Sequence, residues 1–423
     1  FHLSACMLVT ALSFAVWKQI KAFGSNGSPW NTGEWIINYS AGFVRRGLAG
    51  TIIRYFSSNF GVLPGKIVLL VSLTSFAILI IKCYKLYSSG RWSPILLLSP
   101  VCVGAAAFSD FLTRKDVFLV TLFACAIKLA CGRDLLNKLK GISQYSGTLI
   151  ICVIASCIHE SFALWALPSA FFMLLKRLIQ NSRKNIDTTL HSLALVLASI
   201  LSFLPYKFHG NNIISKAIYL DWLSLLPSQT IAPISPTGEI PGAVGSLGWS
   251  LHQGMAYPLS QLKALDNECI WVPAALALTC FVYYTILQNG FSGTQKEREI
   301  VRNIALIQLA LICPLFALGW DFSRWIFLWT MSTILFSDQY ISNWAKRSIG
   351  NINQSKKQSD EDYCQFWPLK QTARLDGNLS YISLFVGCSP YAWSLAGSLK
   401  STPFYFLCDL LIQITRFFFP GLL

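Results

Sequence analysis

The stretch TLIICVIASCIHESFALWALPSAFFMLLK, residues 148–176, decides the fold of this chain. It is longer than the roughly 20 apolar residues that an α-helix needs to cross a bilayer, yet His159 and Glu160 stand near its centre. The composition is equally apolar, because 54% of the residues are hydrophobic and 13% are charged, about half the charged fraction of a soluble protein. Backbone groups inside a bilayer must be satisfied within helices. We therefore predict an all-α, polytopic transmembrane helical bundle.

Apolar runs recur along the whole chain, and each is a candidate membrane segment. They are Phe1–Val16, Ile67–Ile81, Ile95–Phe108, Val117–Ala130, Thr148–Cys157, Ser161–Leu175, Ser192–Leu204, Ile270–Leu287, Ile304–Leu318, Trp325–Phe336, Leu379–Ala396 and Phe404–Phe419. The first run has no convincing small-residue cleavage site before Trp17, so we expect a retained span and not a signal peptide. The runs predict about 12 membrane segments within one integral membrane domain, residues 1–423.

Basic residues orient these segments. Five loops at alternate ends of the runs hold twenty of the 34 lysines and arginines, the pattern that the positive-inside rule predicts for cytoplasmic loops. All five fall on one side only if residues 148–176 form two segments that are broken at His159–Ser161. We therefore predict a broken helical hairpin near His159. Attraction to anionic lipids accounts for the net charge of +15, and nucleic acid is not an expected partner.

Two long connections interrupt the apolar runs. Residues 342–378 are predicted to form a cytoplasmic connecting loop, and residues 206–268 a long outer loop. Loops of this length are usually functional or disordered, and the apolar stretch Ala217–Leu226 favours ordered segments that lie on the membrane or cover a site. The thirteen cysteines follow no zinc-binding spacing, and the sequence has no phosphate-binding loop or dinucleotide fingerprint, so no metal or cofactor is predicted.

The outer loops carry charges that are costly at membrane depth and therefore mark a candidate functional face. Adjacent Arg45 and Arg46 suit a phosphate or pyrophosphate, with snorkelling to the interface as the alternative. Asp110, Arg114, Lys115 and Asp116 suit catalysis or phosphate binding, or else a helical ion pair and a helix terminus. We expect these clusters to share one cleft with the two that follow.

His159 and Glu160 lie among apolar residues, where burial raises the pKa of a Glu and lowers that of a His, so either could serve as a general acid or base near neutral pH. The alternative is a hydrogen-bonded pair that stabilises the broken helix. Asp321 and Arg324 lie three residues apart between aromatic residues, and a simple ion pair in an aromatic belt is the alternative there.

A histidine at the outer turn of a hairpin, preceded by Thr113-Arg114-Lys115-Asp116 and an apolar helix, resembles the EpsG and Wzy-type polysaccharide polymerases over about residues 110–175. The resemblance implies a GT-C-like membrane glycosyltransferase in the bacterial inner membrane with a periplasmic active face. Such enzymes join sugar units carried on polyprenyl pyrophosphate. His159 matches the family's histidine and Arg114 its arginine, whereas Lys115, Asp116 and Glu160 depart from the pattern.

The implied mechanism assigns roles to the outer residues. Arg45, Arg46, Arg114, Lys115 and Arg324 would bind the donor pyrophosphate and stabilise its leaving charge. Glu160, His159 or Asp321, in that order, would deprotonate the acceptor hydroxyl. The other candidates are Glu34, Asp110 and Asp116, and the aromatics Trp222, Trp249 and Tyr257, which would stack on sugars or else anchor the interface. An arginine-held pyrophosphate needs no metal, although the outer acids leave room for Mg²⁺.

The implied partners are a polyprenyl-pyrophosphate-linked glycan, membrane lipids and envelope polysaccharide assembly proteins. Two other functions fit the same residues. A transporter or flippase for a lipid-linked or anionic substrate would also use intramembrane arginines and broken helices. A noncatalytic subunit of an envelope assembly complex would tolerate substitution of each outer residue.

Overall fold

The computed structural model describes residues 2–26, 30–88, 97–99, 101–108, 111–131, 141–181, 185–225, 240, 242–250, 252–256, 295–318, 322–355 and 403–418. Every regular element within these ranges is helical. The predicted all-α class is confirmed for the described part of the chain.

The helices, in chain order, are α1 His2–Asn26, α2 Asn31–Ile36, α3 Gly47–Phe60, α4 Pro64–Ser88, α5 Val103–Phe108, α6 Lys115–Ala130, α7 Gly141–Ile158, α8 Phe162–Trp165, α9 Leu167–Asn181, α10 Asn185–Lys207, α11 Asn212–Leu225, α12 Gly242–Gly245, α13 Gln295–Leu318, α14 Phe322–Ser355 and α15 Pro403–Phe418. A 3₁₀ turn, Ser246–Gly248, follows α12.

Three of the described helices are long and apolar enough to cross a membrane: Cys6–Phe23 of α1, all of α4, and Gln295–Phe316 of α13. The bent pair α10–α11, with an angle of 89° at its break, makes a fourth if it counts as one span. Only 28–33% of the three apolar windows is buried within the protein, so most of their apolar surface faces outward. Outward apolar surface on this scale belongs against lipid, and the chain is a membrane protein.

The predicted count of 12 membrane segments is not confirmed. Ile270–Leu287 and Leu379–Ala396 lie outside the described residues. The predicted segment at Val117–Ala130 lies in α6, which has 16 residues, and the apolar helix at Tyr145–Ile158 is also short for a full span.

The predicted break at His159–Ser161 is present. Helix α7 ends at Ile158, and the carbonyl oxygens of His159, Glu160 and Ser161 accept N–H bonds from three residues further along, as in a 3₁₀ turn. Pro168 occupies the first turn of α9, where its missing N–H costs no helical bond. The break therefore leaves few backbone groups unsatisfied.

The two predicted long loops contain more helix than expected. Helix α11 lies within the predicted outer loop, residues 206–268, as do α12 and the 3₁₀ turn. Helix α14 continues to Ser355, so residues 342–355 are helical and do not belong to the predicted inner loop. Residues 356–378 lie outside the described ranges.

Helix α6 is the centre of the bundle and positions the site. It packs against α4, α7, α9 and α14, and most of its apolar side chains are buried, including Val117, Leu119, Val120, Phe123 and Ile127, whereas Cys125 is exposed. A helix that is apolar all round belongs inside a bundle. Its first two residues, Lys115 and Asp116, are therefore held in the middle of the protein.

Candidate functional site

The loop between α2 and α3 brings Arg46 into an uncommon backbone conformation. Its φ of 66° is left-handed, which no other non-glycine residue in the described part of the chain adopts. A Cβ at Gly47 would collide with the ring of Tyr39, and one at Gly50 with the backbone carbonyl of Ile37. The glycines that flank the arginines therefore allow α3 to begin tightly against the preceding loop.

The Arg46 side chain forms a two-pronged ion pair with Glu160. Its Nε lies 3.0 and 2.8 Å from the two carboxylate oxygens, and its Nη2 lies 2.5 Å from Oε1. Arg45 Nη1 lies 3.6 Å from the same Oε1. Burial raises the pKa of Glu160, but the neighbouring charges of Arg46, His159 and Arg45 outweigh burial, so the pKa lies well below its ordinary value. Glu160 is a carboxylate shared by two guanidinium groups.

Lys115 holds the arginine loop against the broken helix. The side chain is fully buried, and its Nζ donates to the backbone carbonyls of Arg46, at 3.1 Å, and of Ile158, at 3.0 Å. The carbonyls at a helix C-terminus carry partial negative charge, which favours a buried cation there. The structure therefore gives Lys115 a positioning role, which differs from its predicted contact with pyrophosphate.

His159 accepts hydrogen bonds within the turn. Its Nδ1 lies 3.2 Å from the backbone N of Ser161 and 2.9 Å from Ser161 Oγ. A backbone N–H can only donate, so Nδ1 carries a lone pair and the ring proton of the neutral form is on Nε2. Burial and the nearby Arg46 charge lower the pKa of His159 well below its ordinary value. We assign a neutral ring whose Nδ1 stabilises the helix break.

Arg324, at the start of α14, joins two buried carboxylates from other elements. Its Nε donates to Asp116 Oδ2 at 2.7 Å, and its Nη2 donates to Glu34 Oε1 at 3.3 Å. Arg114 Nη1 lies 3.8 Å from the same oxygen of Glu34, and Arg114 Nε donates to Asn31 at 2.9 Å. Burial alone would raise the pKa of Glu34, but the charges of Arg324 and Arg114 outweigh burial and lower the pKa to about 2. Both arginines are thus paired with acids.

The residues so described form what we call the charged cluster: Glu34, Arg45, Arg46, Arg114, Lys115, Asp116, Glu160 and Arg324, with neutral His159. Among the described residues, Arg45 and Arg46 share the one carboxylate of Glu160, so the two guanidinium charges of this pair outnumber its single negative charge. Within the described ranges, no group of three or more His, Cys, Asp and Glu side chains could hold a metal ion. An excess of buried positive charge favours an anionic ligand.

The remaining sequence candidates are not all part of this cluster. Asp110, Asp321 and Tyr257 lie outside the described residues. Trp222 is fully buried, and its indole N–H donates to the Ile36 carbonyl at 2.6 Å, so its ring packs in the core and offers no face to a sugar. Trp249 is half-buried, with its ring edge-on to Trp30 at a centroid distance of 6.2 Å.

Sequence reasoning missed two neutral residues at the cluster. Asn31 accepts from Arg114, and the Tyr206 hydroxyl donates to the Glu160 backbone carbonyl at 2.8 Å. Asn31 lies three residues before Glu34 in the predicted outer loop, and this position alone only weakly indicates a site residue. Tyr206 carries no charge or motif that could have identified it.

Comparison with known proteins indicates a membrane protein and gives no activity. A family model described as "Uncharacterised membrane protein Rv1490" matches residues 1–204. No curated protein and no solved structure matches the chain. The matched residues include most of the charged cluster, whereas Arg324 lies beyond them.

Proposed function

We propose that this chain is a membrane glycosyltransferase that transfers sugar units from a polyprenyl-pyrophosphate-linked donor to a glycan acceptor. The observation that carries the proposal is the pair Arg45–Arg46, two guanidinium groups that share the single carboxylate of Glu160. The basic loops favour the periplasmic face of a bacterial inner membrane as the side of the reaction.

Hydrogen bonding supports an anionic ligand at the arginine pair. The Nε of Arg45 is buried and has no hydrogen-bond partner, although the side chain as a whole is 26% exposed. A buried donor without an acceptor costs about 1–3 kcal/mol. A phosphate oxygen would satisfy this donor, and arginine binds phosphates with two parallel bonds.

The surface next to the arginine pair supports a lipid-linked ligand. Helix α3 begins directly after Arg46 and exposes Ile52, Tyr55, Phe56 and Phe60, each between 43% and 64%. An apolar helix face beside a cationic site matches a molecule with an anionic head and a hydrocarbon tail. The two features together favour a lipid pyrophosphate over a soluble anion.

In the proposed step, an acceptor oxygen attacks C1 of the donor sugar. The new C1–O bond forms as the bond from C1 to the phosphate oxygen breaks, and the leaving polyprenyl pyrophosphate keeps the electron pair. Arg45 and Arg46 stabilise that charge. Glu160 takes the acceptor proton once the pyrophosphate has replaced it as the partner of Arg46, since a buried carboxylate without its arginine is a stronger base.

Binding of a short analogue tests this proposal. The full chain in lipid nanodiscs is titrated with farnesyl pyrophosphate and with inorganic pyrophosphate. We expect farnesyl pyrophosphate to bind more tightly, and Arg45→Gln to weaken both by roughly tenfold or more, because a charge-assisted bond is lost. Lys216→Gln is the matched control, since Lys216 is an exposed cation on α11 outside the charged cluster. Equal binding by wild type and Arg45→Gln contradicts the proposal.

A flippase for the same class of lipid is the second candidate, and a buried polar residue inside a span favours it. Gln308 of α13 is fully buried and its side-chain amide lies 2.9 Å from Ser169 Oγ and 3.3 Å from Ser332 Oγ. Reconstituted proteoliposomes separate the two functions. A transferase elongates a labelled polyprenyl-pyrophosphate-linked sugar, whereas a flippase moves it between leaflets without changing its mass.

A further inference from the structure

The charged cluster contains a second group of unsatisfied atoms, and their chemistry is opposite to that of Arg45. We infer that Glu34 and Asp116 form a subsite that binds the hydroxyl groups of a neutral, sugar-like ligand. This inference rests on the proposed function, in which the subsite would hold the acceptor sugar beside the donor pyrophosphate.

One oxygen of each carboxylate lacks a hydrogen-bond partner. Glu34 Oε2 and Asp116 Oδ1 are both buried without a donor, while the other oxygen of each residue is bonded to Arg324. The two side chains are 4% and 0% exposed. Buried polar atoms in proteins are almost always satisfied, so two orphan acceptors on one arginine mark a place where donors bind.

Charge decides which kind of donor fits. Arg324 and Arg114 already pair with Glu34, and Arg324 also pairs with Asp116. An added cation would lie close to Arg324 and Arg114, and an anion would meet the unsatisfied carboxylate oxygens. Neutral hydroxyl groups supply hydrogen bonds without charge. The subsite therefore suits a polyhydroxylated ligand.

The two subsites adjoin each other. Asp116 follows Lys115 in α6, and Lys115 Nζ bonds the Arg46 carbonyl. The charges of Glu34 and Arg46 both act on His159, so both groups lie near that ring. The subsite at Arg45 has a donor, Nε, without an acceptor. The subsite at Glu34 and Asp116 has two acceptor oxygens without donors. A phosphate-linked sugar and its hydroxyl acceptor would satisfy both.

Sugar binding to amide variants tests the inference. The full chain in nanodiscs is titrated with lactose and with chitobiose at millimolar concentrations, and binding is measured by saturation-transfer NMR. Glu34→Gln and Asp116→Asn each replace one carboxylate oxygen by an NH₂ group that cannot accept. We expect sugar binding to weaken roughly tenfold or more in both variants. In Asp116→Asn the amide oxygen still accepts from Arg324, which preserves the packing.

Asp221→Asn is the matched control. Asp221 is also paired with an arginine, but both of its oxygens already accept from Arg54, at 2.8 and 2.7 Å. We expect this variant to bind sugar as wild type does. If thermal unfolding shows that Glu34→Gln is not folded, Glu34→Asp replaces it. This variant keeps the charge but withdraws the carboxylate oxygens by one methylene, so it should also weaken sugar binding.

Pyrophosphate binding on the same samples separates this inference from the proposed function. Glu34→Gln and Asp116→Asn should bind pyrophosphate at least as tightly as wild type, because each removes a negative charge from the cluster, and Arg45→Gln should keep sugar binding. Sugar binding without pyrophosphate binding in the wild type would support the subsite and contradict the proposed donor site. Wild type that binds neither sugar, or amide variants that bind sugar unchanged, would overturn the inference and leave only ordered water at these oxygens.

Discussion

Arg46 and Arg45 are adjacent in sequence, but the structure gives them different tasks. Arg46 is fixed by its left-handed backbone, by its ion pair with Glu160 and by the Lys115 bond to its carbonyl. Left-handed residues other than glycine cost about 1–3 kcal/mol and persist where several contacts hold them. Arg45 keeps an unsatisfied Nε. The sequence identifies the pair as a binding candidate but cannot separate the two, because the backbone reversal at Arg46 has no sequence signature.

Gly50 is the residue at which a single methyl group should be most damaging. We expect Gly50→Ala to destabilise the protein by about 1–3 kcal/mol, because the new Cβ would collide with the backbone carbonyl of Ile37, which cannot rotate away. Gly254→Ala is the control, since no atom lies within 4 Å of its added Cβ. Thermal unfolding of the purified chain measures the difference. Equal midpoints for the two variants would contradict the close approach of α3 to the loop.

At the scale of the helices, the break between α7 and α8 is the element that the sequence predicted best. The prediction rested on the sidedness of basic loops, which depends on charge counts alone and so requires no knowledge of packing. The sequence did not predict which residue pairs with the broken helix. Glu160 pairs with Arg46 across 114 residues, and nothing in a single sequence indicates which of several outer arginines lies opposite.

The break also predicts the behaviour of His159 variants. We expect His159→Asn to remain folded and to keep pyrophosphate binding and transfer activity, because the amide oxygen can accept from Ser161 as Nδ1 does. His159→Ala loses that acceptor and should be destabilised by about 1–3 kcal/mol. Thermal unfolding and a sugar-transfer assay measure both. A folded but inactive His159→Asn would instead establish the ring as a proton carrier, as the sequence suggested.

At the scale of the whole molecule, α14 is the longest of the described helices. Its 34 residues extend about 51 Å, well beyond the roughly 30 Å hydrocarbon core of a bilayer. Arg324 lies in its first turn, within the charged cluster, and Ser355 at its far end. Sequence patterning missed this extension because the polar residues after 341 are typical of a loop.

The predicted orientation can be measured by labelling. We expect Lys216→Cys to react with a membrane-impermeant maleimide in intact cells, and Lys296→Cys to react only after the membrane is permeabilised. Both lysines are exposed, on α11 and α13 respectively. The unmodified chain supplies the background from native cysteines. Labelling of Lys296→Cys in intact cells would reverse the proposed topology.

The number of spans was the weakest part of the sequence-based prediction. Hydropathy counts an apolar run whether it faces lipid or other helices. Most of helix α6 is buried against other helices, so its apolar run reflects packing in the bundle interior as well as any contact with lipid. Helix α4, by contrast, exposes Leu70, Ile81 and Tyr84. Its 25 residues are long and apolar enough to cross a membrane, and these side chains face outward.

The Arg46–Glu160 pair has a consequence for rates. An anion that enters the site must exchange with a carboxylate already held by three bonds of 2.5–3.0 Å, so arrival at the protein and occupation of the site are separate events. At high ligand concentration the observed association rate would then level off at the rate at which this pair opens. Small monovalent anions, which cannot span the guanidinium fork, would exchange poorly. The resting ion pair would thus act as a kinetic filter for ligands.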